Sequence, residues 1–285
     1  MASKDVDDDE DFDELEEDDS EIVAGMGSLT LSPDEAGKRV TWEKEQSKLK
    51  SQLITVDSPD VRSWRKGNSL FFGLHNIAGV DISFVKGTQK ACAMMVILTF
   101  PDLRVAHISK EIVEMTEPYI PGFLAFREVS FLMDRLEEIK GNNPHLMPQV
   151  IMVDGNGILH PRGLGLASHF GILCGIPCIG VAKNLFCVDG LQKSADFKEK
   201  ISKLKKKGDS FDLKGDSGKL WGKAVRTSDD AVNPVYVSIG HKISLETATK
   251  LVIACSVKRI PEPTRKADLL SRQELRPKSN RKKQY

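Results

Sequence analysis

The chain has 285 residues, 40% of them hydrophobic and 29% charged, a balance that suits a globular protein and excludes a wholly disordered one. It holds no run of about 18 apolar residues, so no membrane-spanning helix is expected, and its acidic start lacks the basic and apolar regions of a secretory signal. The zero net charge hides an asymmetry: residues 1–21 carry thirteen of the 41 acidic side chains and one of the 41 basic ones, leaving 28 acidic and 40 basic side chains for the rest. A block so dense in like charge is expected to be disordered, and residues 1–30 read as an acidic leader. The remainder is a basic protein, suited to a polyanionic partner. The leader either competes for that basic surface or is simply solvated.

In chain order, "SPDEAGKRVTWEKEQSKLKSQLI" predicts a helix, with Ser32 as N-cap, Pro33 in the first turn and Glu35 completing a capping box. "SLFFGL", "NIAGVDISFV", "KACAMMVILTF" and "PDLRVAHISKEIVEM" read as consecutive strands joined by short turns, an antiparallel meander. The pattern then changes. A helix over 122–140 leads to the apolar strand "PQVIMVDGNGI", then a small-residue helix "GLGLASHFGILCG", then the buried strand "IPCIGVAKNLF". Alternating strand and helix argues for parallel pairing. A basic stretch, "KEKISKLKKKGD", precedes a hairpin pair, "GKLWGKAVRTS" and "NPVYVSIGH", and a helix capped by Ser244. The fold class is therefore α/β: one mixed sheet, an antiparallel meander followed by parallel strands, flanked by helices.

Five cysteines (Cys92, Cys174, Cys178, Cys187, Cys255) lie mostly in apolar stretches and read as reduced, buried thiols. Cys174 and Cys178 lack a second ligand pair at a zinc spacing.

Four carboxylates stand out. In the strand around Asp81, one face carries Ala78, Val80, Ile82 and Phe84, and the other Ile77, Gly79, Asp81, Ser83 and Val85. Small neighbours on its own face leave room beside Asp81, although an Asp on an edge strand facing water gives the same pattern. Asp154 ends a strand too apolar to be exposed, the favoured functional position of open α/β sheets. Gly155 and Gly157 after it permit close approach, and Asp-Gly is equally a turn pair. Lys183 ends its strand in the same manner. Glu128 lies on the apolar stripe of its helix, among Leu124, Ala125, Phe131 and Leu132. A carboxylate there is protonated, paired or metal-bound. Asp268, after Arg265 and Lys266, is either a further ligand or a helix-capping residue. Three or four carboxylates needing partners point to a divalent cation, and all-oxygen ligation favours Mg²⁺ or Mn²⁺ over zinc. Joined to a basic surface, this implies phosphodiester chemistry.

"GVDISF", "EPYIPGFLAFRE", "VDGNGILHPRGLGLASHFG", "GVAKNL", "VSIGHKISLETA" and "RIPEPTRKAD" together resemble the endonuclease V family of inosine- and deoxyinosine-directed nucleases, its animal branch most of all. The resemblance spans about residues 35–272 with the motifs in the same order. It implies a ribonuclease H-like fold, an endonuclease domain over 31–272 and a basic tail over 273–285. It implies that Asp81, Glu128 and Asp154 hold Mg²⁺, with Mn²⁺ able to substitute, that Asp268 fills the family's fourth ligand position, and that Lys183 stands beside the scissile phosphate. Pro118, Tyr119, Ile120 and Pro121 would form a wedge that fills the space of an extruded base. Gly122, Gly155, Gly157, Gly165 and Phe186 fall on the hypoxanthine pocket; position 186 is aliphatic in relatives, and Phe186 departs from that. His160 and His241 read either as supporting or phosphate groups or as satisfied structural histidines.

The expected activity is cleavage one nucleotide 3′ of inosine in RNA, single strands favoured, and of deoxyinosine in DNA, leaving 3′-hydroxyl and 5′-phosphate. A rival reading keeps the fold but makes the protein a non-catalytic reader of inosine-containing RNA. A monomer in the cytoplasm, the nucleus or both is expected.

Overall fold

The computed structural model describes residues 31–67 and 70–276; the acidic leader and most of the basic tail lie outside them. Helix α1 (Pro33–Lys50) starts as the capping-box motif dictates: the Ser32 hydroxyl accepts from the Glu35 N–H and the Glu35 carboxylate accepts from the Ser32 N–H. A short α2 (Pro59–Ser63) follows. The meander is β1 (Asn76–Phe84), β2 (Lys90–Thr99) and β3 (Val105–Glu114), antiparallel throughout. Then come α3 (Leu124–Asn142), β4 (Val150–Asp154), α4 (Leu166–Cys174) and β5 (Cys178–Ala182). Gly175 ends α4 at φ 69°, a left-handed cap that suits glycine. The chain continues through α5 (Ala195–Ser202), β6 (Ser210–Lys214), β7 (Leu220–Val225), β8 (Val235–His241), α6 (Leu245–Ala254) and α7 (Glu262–Leu275).

The eight strands form one sheet in the order β3-β2-β1-β4-β5-β8-β7-β6. β1, β4 and β5 are parallel neighbours, and the remaining pairs are antiparallel. One face buries Ala78, Val80, Ile82, Ile151 and Val153 under α3 and α4. The other buries Ile77, Val150 and Met152 with α6, and Met94 and Val96 against α7. The mixed sheet of meander plus parallel strands is the one expected.

One local reading changes. "SLFFGL" was expected as a strand, yet its described residues form a turn before β1, with Phe71 at φ 64° and its ring against Trp64 and Phe100. A short apolar run signals burial, and here it plugs the end of the core rather than joining the sheet. The basic stretch, given no element from the sequence, runs from α5, which starts on a Ser194 cap and buries Phe197, to the edge strand β6.

Candidate active site

The sheet register brings the first two carboxylates together. β1 and β4 pair in parallel from Ile77↔Val150 to Val80↔Val153, so Asp81 and Asp154 are the next residues on adjacent strands, level and on one face. The edge-strand alternative for Asp81 falls, since β1 has a neighbour on each side. The small residues beside it serve a different purpose from the one read in sequence. A Cβ on Gly79 would stand 1.9 Å from the Pro263 carbonyl oxygen, so the glycine lets α7 cross directly over β1. That crossing delivers Asp268 and Ser271. The Ser271 hydroxyl donates to Asp81 Oδ2 at 2.6 Å, and the Ser83 hydroxyl donates to the same oxygen at 3.0 Å.

Lys183 closes the group. It follows β5 two residues beyond Val181, the partner of Asp154. Its Nζ lies 3.1 Å from Asp154 Oδ2 and 2.9 Å from Asp268 Oδ2. Arg272, one helical turn past Asp268, donates to the other oxygen of that carboxylate. Arg259 donates to the Lys183 carbonyl at 2.6 Å and fixes the backbone there. Sequence reasoning missed Ser83, Ser271, Arg272 and Arg259; the i+3 and i+4 spacing of Ser271 and Arg272 from Asp268 was a usable signal.

Negative charge is in excess at this spot. The Asp81 carboxyl is pushed up to about 7, first by burial and then by the carboxylates of Asp268 and Asp154; Lys183 and the Ser271 hydroxyl pull it down. This all-oxygen donor set and its unrelieved charge fit a hard divalent cation. The side-chain spacing is that of a lysine-bridged cluster: among the described residues no group of three His, Cys, Asp and Glu side chains stands as a ready ligand shell.

Glu128 is buried, only 5% exposed. Its helix does lie across the sheet, but over the face opposite to Asp81 and Asp154, with Ala125, Val129 and Leu132 packed on Val80 and Val153. Asp81, Asp154, Asp268 and Lys183 are thus assembled by strand register and α7, whereas Glu128 is carried by a helix on the other layer.

The remaining candidates gather on the loops around β4 and before α3. In "PYIP", Ile120 and Pro121 are buried while Pro118 and Tyr119 are half-buried, so the motif is anchored at its back and open at its front. Gly122, at φ 81°, follows; a Cβ there would lie 3.9 Å from the His160 ring. His160 accepts the Arg162 N–H at Nδ1 and packs on Phe186 at 5.6 Å between ring centroids. Burial, with the Arg162 charge second, lowers it to about 4, so it is neutral at pH 7. His241 accepts the Ile54 N–H and is likewise lowered to about 4, by burial and then Lys242. Phe186 belongs to a core with Leu185, Val188, Phe197 and Trp221.

Two of the pocket glycines meet the protein's own backbone. A Cβ on Gly157 would stand 2.0 Å from the Ile239 carbonyl oxygen, and one on Gly165 2.5 Å from the Asn156 carbonyl oxygen. The amides of Gly155, Gly157 and Gly165 donate to the Val181 carbonyl, the Ser238 hydroxyl and the Gly157 carbonyl. At Gly157 and Gly165 the close approach is by the protein's own backbone.

Helix α1 ties these loops together. Gln46, 2% exposed, donates to the carbonyls of Leu164 at 2.9 Å and Gly122 at 3.3 Å, and its oxygen accepts from Arg162. Trp42 stacks on Phe126 at 5.1 Å.

Level carboxylates on central strands, with the Asp268-bearing helix laid across them, belong to a mixed sheet of ribonuclease H-like architecture. The Endonuclease V family model matches residues 61–269. The human Endonuclease V is 48% identical over 236 residues, 82% of each chain. The crystal structure of its catalytic domain superposes with a TM-score of 0.82 at 46% identity, covering 86% of this chain and 99% of that one. Endonuclease V from Ciona intestinalis, in complex with a 24mer DNA containing an inosine followed by a ribo-adenosine, gives a TM-score of 0.75 at 34% identity over 84% of this chain and 98% of that one. The chain belongs to the Endonuclease V family.

Proposed function

We propose that the protein is a divalent-metal-dependent endonuclease that cuts RNA one nucleotide 3′ of inosine, leaving 3′-hydroxyl and 5′-phosphate, with deoxyinosine in DNA as a second substrate. The carrying observation is the level pairing of Asp81 and Asp154, with Asp268 and Lys183 closed over them. Asp81, Asp154 and Asp268 would hold Mg²⁺, and Glu128 would join them around the ends of β1 and β4. Bound there, the metal supplies Lewis-acid polarisation of the phosphoryl group and a more acidic water. Lys183, released from the carboxylates, turns its ammonium to the phosphate oxygens. Tyr119, carried in front of buried Ile120 and Pro121, fills the place of the extruded base at small entropy loss between two prolines.

The Ciona intestinalis complexes support the substrate reading, since their DNA places a ribonucleotide directly after the inosine. A 2′-hydroxyl at that position gives a protein a means to tell RNA from DNA. The rival reading, an inosine reader without catalysis, would keep the pocket loops and leave the strand intact.

Mapping the products of an end-labelled, single-inosine RNA with Mg²⁺, with chelator and with Asp154→Asn separates the two. One cut at the second phosphodiester 3′ of inosine, lost in both controls, is expected. Retention of the intact strand in all three would leave the reader.

A further inference from the structure

Two lysines from distant parts of the chain converge beside the 160–165 turn. Lys50 ends α1, and Lys219 sits in the turn between β6 and β7. Their ammonium nitrogens stand 3.0 and 3.6 Å from the point where a Cβ on Gly163 would lie. Among the described residues, neither forms an ion pair, and the one carboxylate whose charge reaches Lys219 is that of Asp189. Like charges this close repel, and burial together with the Lys50 charge lowers the Lys219 ammonium below its ordinary range.

Both are nevertheless held in place. The Lys50 ammonium donates to the Arg162 carbonyl at 2.7 Å. The Lys219 ammonium sits 3.5 Å from the centroid of the Trp221 ring, and the indole N–H is fixed by Asp189 at 2.8 Å. Each ammonium has three donors, so Lys50 keeps at least two for another ligand and Lys219 is steadied by a contact that uses none. Gly163, at φ 70° and without a side chain, leaves the space between them open.

We propose that Lys50 and Lys219 form a phosphate-binding subsite that grips the backbone of the nucleic-acid strand beside the pocket loop. A phosphodiester oxygen pair matches two converging ammonium groups, of which Lys219 alone feels a carboxylate, that of Asp189, already engaged by the Trp221 indole and the Ser217 hydroxyl, and it removes the repulsion between them. The inference rests on the nucleic-acid reading above but not on inosine, because a phosphate contact carries no base information.

The test uses the full chain in chelator, so that strands are bound and not cut, with equal-length single-stranded RNAs carrying one inosine or one guanosine. Dissociation constants are measured against KCl for wild type, for Lys50→Gln with Lys219→Gln, and for Lys205→Gln with Lys206→Gln. The last pair removes the same charge at the other end of β6. The Lys50/Lys219 variant is expected to lower the slope of log affinity against log salt by about 0.7 on both RNAs, the loss of one phosphate contact, with an unchanged Tm. A slope equal to wild type, or a change no larger than that of the Lys205/Lys206 variant, would overturn the subsite. Equal wild-type affinity for the two RNAs would instead count against inosine recognition and leave the slope comparison readable; no binding of either RNA would overturn both.

Discussion

Asp81 shares its surroundings with the carboxylates of Asp154 and Asp268, and its ordinary value of 3.8 is raised to about 7. The fold therefore favours the protonated form. Stability from this group is full below the unfolded value near 3.8 and is lost as pH rises through about 7. Asp81→Asn keeps the shape and stays neutral, so without metal at pH 8 it is expected to unfold at a higher temperature than wild type. The scale is about 2–4 °C for each kcal/mol relieved. The gap should narrow at pH 5 and close only below about 3.8, while cleavage is abolished throughout; equal melting at pH 8 would contradict the crowding of charge. Protons and a divalent cation compete for the same carboxylates. The rise in Tm that Mn²⁺ gives wild type should accordingly be larger at pH 8 than at pH 5.5, and a pH-independent rise would place the ion elsewhere. Asp81 and Asp154 were legible because a carboxylate in an apolar strand is costly wherever it lies. The hydroxyls of Ser83 and Ser271 were not, since serine is unremarkable on any surface.

Elements show where pattern reading succeeds and where it stops. The capping box of α1, the Ser244 cap of α6 and the alternation through β4, α4 and β5 all act over a few residues, and all three were read correctly. What a helix lies against is a long-range fact. The apolar stripe of α3 shows that Glu128 is buried but not which sheet face covers it, and the face is the one opposite Asp81. The same limit applies to the glycines: composition announces close approach without naming the partner. Because a Cβ at Gly157 would stand 2.0 Å from the Ile239 carbonyl oxygen, Gly157→Ala is expected to destabilise the fold by about 3 kcal/mol or more, the upper range for overpacking. A variant with wild-type melting and altered base preference alone would return Gly157 to the pocket. Gln46→Ala strips the Leu164 and Gly122 carbonyls of a buried donor and should lower stability by about 1–3 kcal/mol. Proteolysis within 117–123 and 160–165 should quicken together; acceleration at one loop only would show that α1 does not couple them.

The molecule as a whole is a mixed eight-stranded sheet with its carboxylate cluster near the centre and basic side chains toward the β6 edge. No helix among the described residues is long and apolar enough to cross a membrane. The order of strands across the sheet was only half visible in sequence, because the meander pairs neighbours whereas β8 returns to β5 across two intervening strands. Asp268 joins the cluster only through the final helix of that path, which is why its residue-level reading stayed divided between ligand and cap. The central claim is that this cluster cuts nucleic acid at inosine. Its most direct measurement is cleavage in Mg²⁺ of length-matched RNA and DNA strands, each with one inosine or one guanosine, by wild type and Asp81→Ala. The expected result is cutting of inosine strands alone, faster for RNA, and none by the variant. Equal cutting of the guanosine strands, or activity that survives Asp81→Ala, would contradict the account.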